Sequence, residues 1–381
     1  MPERWNLTVF ENATGPVLAA VITSLASVAA AQDANGVIEK HVEALDDYAE
    51  DETVGFRQGS VVVAPIPFSN PTIGSGLVLG AGYLFQLDEG SDPSVIGAGG
   101  LRSDNGSTAA AGAFKLKLDN NRWIIEALYG QADVQYDLFT GIGVIPIRQD
   151  GILGRLSLSY GVTPDFSFGA TFRYLDTTIT PAFAGLPPIP PPFDQFLNVE
   201  VANVGVVSDW DTRDDTIYPT SGQVLHFEAF QGYGLSGLVR DYSKSYVNYT
   251  FYLSPWAEGV IASRLSVCAA SSETPFFDQC GIGTVDSFRG FSATQLLDFR
   301  SASLQVELRQ RLGERIGLIA FAGAGQTGQS FSDLEAGGTH SAYGVGARYR
   351  VSKKFPLDFS IDLSRNDQQE DNLYIYVGQR F

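Results

Sequence analysis

The sequence predicts an all-β protein that forms a transmembrane antiparallel β-barrel of sixteen strands. Three observations lead to this prediction. The 381 residues include 41 Gly, 25 Phe and 16 Tyr but one Met, and 18% of them are charged. Beyond the amino terminus, no apolar run approaches the ~20 residues that a membrane-spanning helix needs. From about residue 58 onward, apolar residues recur with a period of two, which is typical of strands between lipid and a wet lumen.

The segment SLQVELRQRL, residues 303–312, shows this period most clearly. Leu304 and Val306 point to one face, whereas Glu307 and Arg309 point to the other. Segments 342–351 and 357–364 repeat the pattern. Each polar face is complete, and together these faces carry charges of both signs. A soluble sheet would bury the apolar face, whereas a membrane barrel turns it to lipid and keeps the polar face inside.

The predicted strands agree with a tilted membrane strand of about 9–11 residues. Their number is even, as in bacterial barrels. The strands span residues 60–68, 73–86, 93–103, 107–118, 122–138, 147–161, 165–180, 195–210, 222–234, 240–254, 257–270, 299–312, 315–326, 341–352, 356–366 and 371–381.

The connections alternate between short and long, which predicts short periplasmic turns and longer outer loops. The tight turns are 119–121, 163–165, 254–256, 313–315 and 352–356. The longer links are 139–146, 181–194, 271–298 and 327–340, and the short outer loops 69–72 and 104–106 depart from the rule. The segment LPPIPPP within 181–194 favours a stiff polyproline cap at the surface.

The amino terminus predicts a signal peptide at residues 1–31. Residues 17–31 form an apolar run that ends in small residues, and Ala29 and Ala31 suit a cleavage site. A short buried helix is the alternative. The preceding residues are not basic, which leaves the true start codon open. Residues 32–57 form an acidic periplasmic leader, either a short amphipathic helix or a disordered linker, and residues 58–381 form the barrel.

Charge and rare residues exclude several functions. The net charge is −18 and there is no Lys/Arg cluster, which argues against a nucleic-acid partner. Cys268 and Cys280 lie close in sequence, so an exported protein favours a disulfide over two free thiols. The three histidines show neither metal-ligand spacing nor a nucleophile triad, so we predict no metal, no cofactor and no enzyme. A hydrolase built on His226 and Glu228 is the weakly supported alternative.

Two motifs carry a resemblance to a known family. In WDTRDDTIYPTSG, residues 210–222, the pattern D-x-R-D…P-x-x-G is formed by Asp211, Arg213, Asp214, Pro219 and Gly222. The stretch SFRGF, residues 287–291, falls between the eleventh and twelfth predicted strands. Together, in this order, the motifs resemble the bacterial surface-antigen barrels of the BamA/TamA family and the Omp85 superfamily, which includes two-partner secretion translocators. The resemblance covers residues 58–381.

The resemblance implies that a long sixth outer loop folds into the lumen. Its motif would be Phe288, Arg289, Gly290 and Phe291, with the arginine paired to a carboxylate on the barrel wall. The family usually has Val or Ile in place of Phe288 and an Asp where Gly323 stands here. We therefore expect another carboxylate to pair with Arg289. The candidates, which face the lumen by strand parity, are Glu307, Asp358 and Asp362.

The last residues, LYIYVGQRF, resemble the carboxyl-terminal β-signal that the barrel-assembly machinery recognises. Leu373, Ile375, Val377 and the terminal Phe381 are expected to share the lipid face, with Phe381 in the aromatic girdle.

The resemblance places the protein in the outer membrane of a Gram-negative bacterium and implies protein assembly or translocation. Only about 25 residues separate the cleavage site from the first strand, so we expect a short form without POTRA domains and with a separate partner or client. A weak seam between the first and last strands would accept the client strand. The alternatives are a structural or adhesive surface antigen and a passive solute pore, although a folded-in sixth loop would obstruct a pore.

Overall fold

The computed structural model describes residues 60–141, 143–182, 198–236, 239–283, 288–350 and 358–381. The predicted signal peptide, the acidic leader, the polyproline stretch and the turn at 352–356 lie outside the described residues. No helix within the described ranges is long and apolar enough to cross a membrane.

Sixteen strands of the described chain close into one antiparallel barrel, and two short strands pair separately. All sixteen predicted strands are confirmed, with shifted ends. The barrel strands are β1 (Ser60–Asn70), β2 (Gly74–Phe85), β3 (Ser94–Ser103), β4 (Thr108–Leu118), β5 (Trp123–Thr140), β6 (Gly143–Thr163), β7 (Phe166–Pro181), β8 (Asn198–Asp211), β9 (Gly222–Ser236), β10 (Tyr242–Trp256), β11 (Gly259–Ala270), β14 (Arg300–Leu312), β15 (Ile316–Gly328), β16 (His340–Arg350), β17 (Asp358–Asn366) and β18 (Asp371–Val377). The separate pair is β12 (Cys280–Gly281) with β13 (Leu297–Asp298).

The prediction of a longer link at residues 139–146 is wrong. β5 continues to Thr140 and β6 begins at Gly143, so a tight turn joins two long strands. The inward face of this hairpin is packed: Val134, Tyr136 and Ile147 belong to one buried cluster, and the Tyr136 hydroxyl donates to Gln149 at 2.6 Å. The same cluster includes Leu175 of β7 and Val199 of β8, so contacts with other strands keep the hairpin regular where the local pattern is weak.

The barrel has an apolar outer face and a polar inner face, as the alternation predicts. On β14, Leu304, Val306 and Leu308 are exposed, whereas Gln305 and Glu307 are buried. Because these polar side chains are enclosed inside the barrel rather than solvated, each needs a partner of opposite charge or a hydrogen bond. That requirement determines how the lumen is filled.

The barrel closes where β1 meets β18, and this seam is weakly paired. Among the residues described, β1 and β18 share one residue pair, Ser69 with Ile375. On its other side, β18 forms seven pairs with β17, and β1 forms eleven with β2.

Arginine substitutions on the outer face should be costly in proportion to depth. Val306 lies in the middle of β14 and Leu312 at its end, on the same face. We expect Val306→Arg to lower the free energy of unfolding by about 2–4 kcal/mol and Leu312→Arg by about 0–1 kcal/mol, because charge is least tolerated at the bilayer midplane. Urea titration in phospholipid vesicles measures both; equal losses would contradict the assigned lipid face.

Candidate functional site in the lumen

The candidate site is built by the segment between β11 and β14, residues 271–299, here called loop six. It contains a single 3-10 turn, Phe276–Asp278, and the β12–β13 pair within its described part. Most of its described residues from Phe277 to Thr294 are buried. A loop this enclosed must satisfy its polar groups against the inner wall.

Arg289 is fully buried and pairs with two wall carboxylates. Its Nη1 lies 2.6 Å from Glu307 Oε2 on β14 and 2.8 Å from Asp362 Oδ2 on β17. Its Nε donates to Gln305 Oε1 at 3.0 Å, and the guanidinium carbon lies 3.7 Å from the centre of the Phe321 ring. Two of the three candidate carboxylates, Glu307 and Asp362, therefore contact Arg289. Carboxylates from two strands hold one loop residue at a fixed height in the barrel.

Asp358, the third candidate, has other partners. It pairs with Arg311 of β14 and accepts from Arg350 Nε at 3.4 Å and from Gln379 Nε2 at 2.7 Å. Parity places Asp358 on the correct face, but it is the first residue of β17 and lies four residues from Asp362, with the inward Ser360 between them. The expectation that Asp358 pairs with Arg289 is therefore wrong. Asp358 belongs instead to a separate layer of ion pairs near the periplasmic end of the barrel.

A network of opposite charges surrounds the Arg289 pair. Arg309 Nε contacts Glu307 Oε1 at 2.7 Å, and Arg348 Nη1 contacts Asp362 Oδ1 at 2.5 Å. The Tyr376 hydroxyl of β18 donates to Asp362 Oδ2 at 2.6 Å and accepts from Arg348 Nη2 at 2.7 Å. Loop six and four strands thus share one buried network, in which each carboxylate contacts two arginines and removal of a carboxylate would leave buried positive charges uncompensated.

Gly290 brings the loop backbone against the wall. Its N–H donates to the Tyr374 hydroxyl at 2.8 Å, and its carbonyl accepts from Asn366 Nδ2 at 3.0 Å and Asn372 Nδ2 at 2.9 Å. Its φ is +128°, and a Cβ here would overlap the Cβ of Ala342. Glycine is therefore required twice, for the backbone conformation and for the close approach.

Phe288 occupies the space beside Gly323. A Cβ on residue 323 would lie 2.7 Å from Phe288 Cε2, so the phenyl ring fills the space next to this glycine. The two departures from the family pattern, an aromatic at 288 and glycine at 323, are therefore in contact. Phe288, Phe291 and Ala342 form one buried apolar cluster with Ile282.

A second anchor holds loop six on the opposite wall. Asp278 is buried, pairs with Arg173 of β7 and accepts from the Tyr242 hydroxyl of β10 at 2.5 Å. Burial alone would raise the pKa of Asp278, but Arg173 and Lys244 hold that pKa below its ordinary value. The carboxylate is thus ionised at neutral pH. Cys280, two residues later, forms a disulfide with Cys268 of β11.

The 210–222 motif forms a closed turn between β8 and β9. Arg213 Nε and Nη2 contact Asp211 Oδ2 at 2.9 and 2.6 Å, and Asp214 accepts from the backbone of Thr220 at 2.9 Å and of Ser221 at 3.0 Å. Burial opposes ionisation of Asp214, but these hydrogen bonds and that of the Thr220 hydroxyl hold its pKa below the ordinary value. Gly222 has φ +98°, and a Cβ there would overlap the Thr212 carbonyl.

Pro219, the remaining motif residue, is buried in this turn. Tyr218 beside it reaches the lumen, where the Arg311 guanidinium carbon lies 4.3 Å from its ring centre. The turn motif therefore supports the same ion-pair layer that contains Asp358.

The expected position of Phe381 in the lipid-facing girdle is wrong. β18 ends at Val377, and Gly378 takes a φ of +88°. The chain then leaves the strand, and Phe381 is buried in the barrel against Tyr252 and Ala262. Its ring centre lies 5.4 Å from the guanidinium carbons of both Arg264 and Arg289. The period of two fails to predict this because the glycine breaks the strand.

His226 has a carboxylate partner that the sequence did not indicate. Its Nδ1 lies 2.6 Å from Asp209 Oδ1, and its Nε2 lies 3.4 Å from the Tyr246 hydroxyl. Glu228, its sequence neighbour, instead pairs with Arg155 at 2.9 Å. His226 and Asp209 line a cavity of about 650 Å³ that also borders Lys115 and Arg213. Its lining comes mostly from strands β4 to β9 and the turns that join them, and includes no described residue of loop six.

Several residues of the site were not identified from the sequence. Arg348 and Gln305 follow the inward parity of their strands, so their alternation was a usable signal. Tyr374 and Tyr376 share the inward face of β18 on the same argument. Asp278 has no such signal, because it lies in a loop and its partner Arg173 is 105 residues away.

Comparison with known proteins gives one family and a set of related structures. A model of the Omp85 superfamily domain matches residues 148–381, which is more than half of the chain. No curated protein matches the sequence.

Solved structures share the fold at low identity. The barrel is similar to BamA from Haemophilus ducreyi lacking POTRA domains 1–3, with a TM-score of 0.58, 14% identity, and coverage of 84% of this chain and 70% of that one. It is also similar to CdiB from Acinetobacter baumannii, with a TM-score of 0.56, 10% identity, and coverage of 84% of this chain and 59% of that one. CdiB from Escherichia coli gives a TM-score of 0.56, 14% identity, and coverage of 84% of this chain and 62% of that one. The chain thus spans about three fifths of either CdiB protein.

Replacing Gly290 should destabilise the protein in two separable ways. We expect Gly290→Ala to cost about 2–4 kcal/mol, from backbone strain at φ +128° and from overlap with Ala342. The double variant Gly290→Ala/Ala342→Gly should recover the overlap part alone. Gly313→Ala is the matched control, because its φ is +76° with no neighbour within 4 Å. Urea titration in vesicles gives each value; equal costs for Gly290→Ala and Gly313→Ala would contradict the close approach.

Removing the buried arginine should be far more costly than removing an exposed one. Arg289→Ala removes the buried cation that joins Glu307 to Asp362 and leaves each carboxylate with one fewer partner, and we expect a loss of about 3–5 kcal/mol. Arg240, which pairs with Glu273 at 3.1 Å on the surface, is the control, and Arg240→Ala should cost at most about 1 kcal/mol. The same titration measures both, and similar losses would show that the ion-pair network contributes little.

Proposed function

Because the chain belongs to the Omp85 superfamily and is a β-barrel of the Gram-negative outer membrane, we propose that it helps other polypeptides to insert into or cross that membrane. A separate partner or client protein would complete the system. The activity would reside at the seam of the barrel and not in its lumen.

The seam between β1 and β18 is the observation that carries this proposal. One residue pair joins the two strands in the described chain, against seven on the other side of β18. Strand edges that lack partners present free N–H and C=O groups, which can pair with an extended segment of another chain. A barrel that opens there would receive a client strand directly from the membrane.

Loop six supports this proposal by stabilising one side of the seam. Arg289 pairs with β14 and β17, and Gly290 binds Tyr374 of β18. We infer that the Phe288–Phe291 motif keeps the β14–β18 wall rigid while the seam beside it separates. The Asp211–Gly222 turn would brace the periplasmic end of the same wall, through Tyr218 and Arg311. Phe381 would act earlier, as part of the signal that assembly machinery reads in the unfolded chain.

The filled lumen weighs against a passive solute pore. Loop six lies across the barrel from the Asp278 anchor on β7 and β10 to the Arg289 anchor on β14 and β17. An adhesive or antigenic role is the second candidate. It is favoured by the β5–β6 hairpin, whose strands of 18 and 21 residues exceed the about 9–11 that a membrane crossing needs.

Locking the seam should abolish the proposed activity. We would reconstitute the purified protein in vesicles and follow the folding of a urea-unfolded eight-stranded outer-membrane barrel. Wild-type protein should accelerate folding. Ser69→Cys/Ile375→Cys, bridged by a short bismaleimide, should not, because these residues form the seam pair. The bridged variant Leu363→Cys/Leu373→Cys, which joins β17 to β18 away from the seam, should retain activity.

The outcomes separate the candidate functions. No acceleration by the wild-type protein would overturn the insertion role. Steady ion conductance of the same vesicles, unaffected by the seam bridge, would instead favour the pore. Equal activity of the two bridged variants would show that the seam does not open.

A further inference from the structure

We propose that β18, and not β1, is the edge to which a membrane-entering strand of a client polypeptide binds, because prolines remove the hydrogen-bond donors of β1 along the seam. The identity of the client rests on the function proposed above. The state of the two strand edges does not rest on it.

The direction of the β1 backbone groups follows from hydrogen bonds further along the sheet. The N–H of Asp104 donates to the Ser75 carbonyl at 2.7 Å, so the backbone groups of Ser75 point to β3. Along a strand these groups alternate in direction, so Gly76 and Val78 point to β1. Their register partners Phe68 and Ile66 point back to β2. The odd-numbered residues of β1 therefore direct their backbone groups to β18.

Three of the four odd-numbered residues from 65 to 71 are prolines. Pro65 and Pro67 lie in β1, and Pro71 lies in the turn that follows. Proline has no N–H, and within sheets it is tolerated where that group would face an edge. The unbroken run of eleven β1–β2 pairs agrees with this direction. Ser69 is the one residue of this set with a donor, and it forms the single seam pair of the described strands.

β18 keeps a full set of donors and acceptors on its seam side. The N–H of Gly378 donates to the Asp358 carbonyl at 2.8 Å, so even-numbered residues of β18 face β17. Leu373, Ile375 and Val377 therefore face the seam, and none is proline. Continuing the register from Ser69 and Ile375, Val377 lies opposite Pro67 and Leu373 opposite Pro71. The edge of β18 thus has N–H donors at positions where the opposite residues on the β1 side are prolines and have none.

The inner face of β18 is held in place by loop six and by β17, so this edge is already ordered before a strand binds it. The Tyr374 hydroxyl accepts from Gly290 N–H at 2.8 Å, and Tyr376 donates to Asp362 at 2.6 Å. A template that is already ordered loses less entropy when a strand binds it. Loop six also contacts the turn after β1, where Thr72 Oγ1 accepts from the Ala293 N–H at 3.1 Å, so the two edges differ through their backbone donors. β1, with prolines at positions 65 and 67, is therefore the edge that we expect to move away.

The pattern of β18 indicates the chemistry of the client. Leu373 is exposed on the lipid face, whereas Tyr374 and Tyr376 are buried on the lumen face. A strand that extends this sheet must place apolar residues beside Leu373 and polar or small residues beside the tyrosines. The client is thus an alternating strand of a membrane barrel, antiparallel to β18 and in the place of β1.

Restoring the donors of β1 should close the seam. In Pro67→Val/Pro71→Val, two new N–H groups face Val377 and Leu373 of β18, and we expect insertion of the urea-unfolded eight-stranded barrel to slow by about tenfold, since each restored hydrogen bond favours the closed seam. Pro146→Val, on β6 and far from the seam, is the matched control and should leave the rate unchanged. Amide exchange at Leu373 and Val377 should slow in the double variant only. Wild-type insertion rates and exchange in the double variant would overturn the proposal.

Cross-linking identifies the edge directly. A photoreactive phenylalanine analogue would replace Leu373 on β18 or Val63 on β1, and the same unfolded barrel would be added. We expect at least about tenfold more cross-linked client from position 373, because β1 lacks donors at three of its four odd-numbered positions from 65 to 71. Equal or greater yield from position 63 would overturn the proposal.

The two proposals fail in different ways. Cross-linking at position 373 without faster insertion would overturn the insertion function and support the edge assignment. Faster insertion without cross-linking at position 373 would do the opposite, and failure of both would overturn both. A product that joins position 373 to a second copy of this chain, or to residues 32–57 of the same chain, would overturn the assignment of a client strand.

Discussion

The burial of one positive charge, Arg289, is the constraint on which the rest of the lumen depends. A guanidinium removed from water is tolerable only with close counter-charges, and Glu307 and Asp362 supply them from two strands. Two carboxylates beside one arginine leave an excess of negative charge. Arg309 and Arg348 more than offset it, so three arginines share the two carboxylates. The polar inner faces of β14, β16 and β17 follow from this requirement.

The same network holds some strands of the barrel together more firmly than others. Loop six connects the wall from β14 to β18 through its charges and through the Gly290 backbone, while Asp278 ties its other end to β7 and β10. Next to this connected wall lies the seam, where prolines deprive β1 of donors. A rigid wall beside a poorly bonded edge is a structure that opens at a defined place. Ion pairs and hydrogen bonds in the lumen thus hold β18 in place, while the missing donors of β1 weaken the pairing across the seam.

Phe288 of loop six and Gly323 of β15, the two positions that depart from the motif the resemblance implies, are in contact. Phe288 lies against Gly323, and the Phe321 ring stacks on Arg289 at 3.7 Å. An aspartate at 323 would compete with the phenyl ring for the same volume. The larger residue at 288 and the missing carboxylate at 323 therefore accompany each other, and the arginine takes its counter-charges from β14 and β17.

Strand positions and faces could be read from the sequence because the pleat is local. A side chain's face depends only on its parity, so sixteen strands and the inward direction of Glu307, Asp358 and Asp362 follow from the period of two. The family motifs likewise identified Arg289 and the 211–222 turn. Parity does not give height in the barrel. Glu307 and Asp362 reach Arg289, whereas Asp358 pairs with Arg311, because register between strands decides which inward residues are level.

The remaining features arise only in the folded molecule. Asp278 and Arg173 are distant in sequence and meet because the lumen brings loop six to β7. Phe381 turns inward because Gly378 interrupts β18, which no alternation reveals. The prolines of β1 are visible in the sequence, but their meaning depends on which neighbour their missing N–H groups would face. That neighbour is set by closure of the sheet, because only closure brings β18 beside β1.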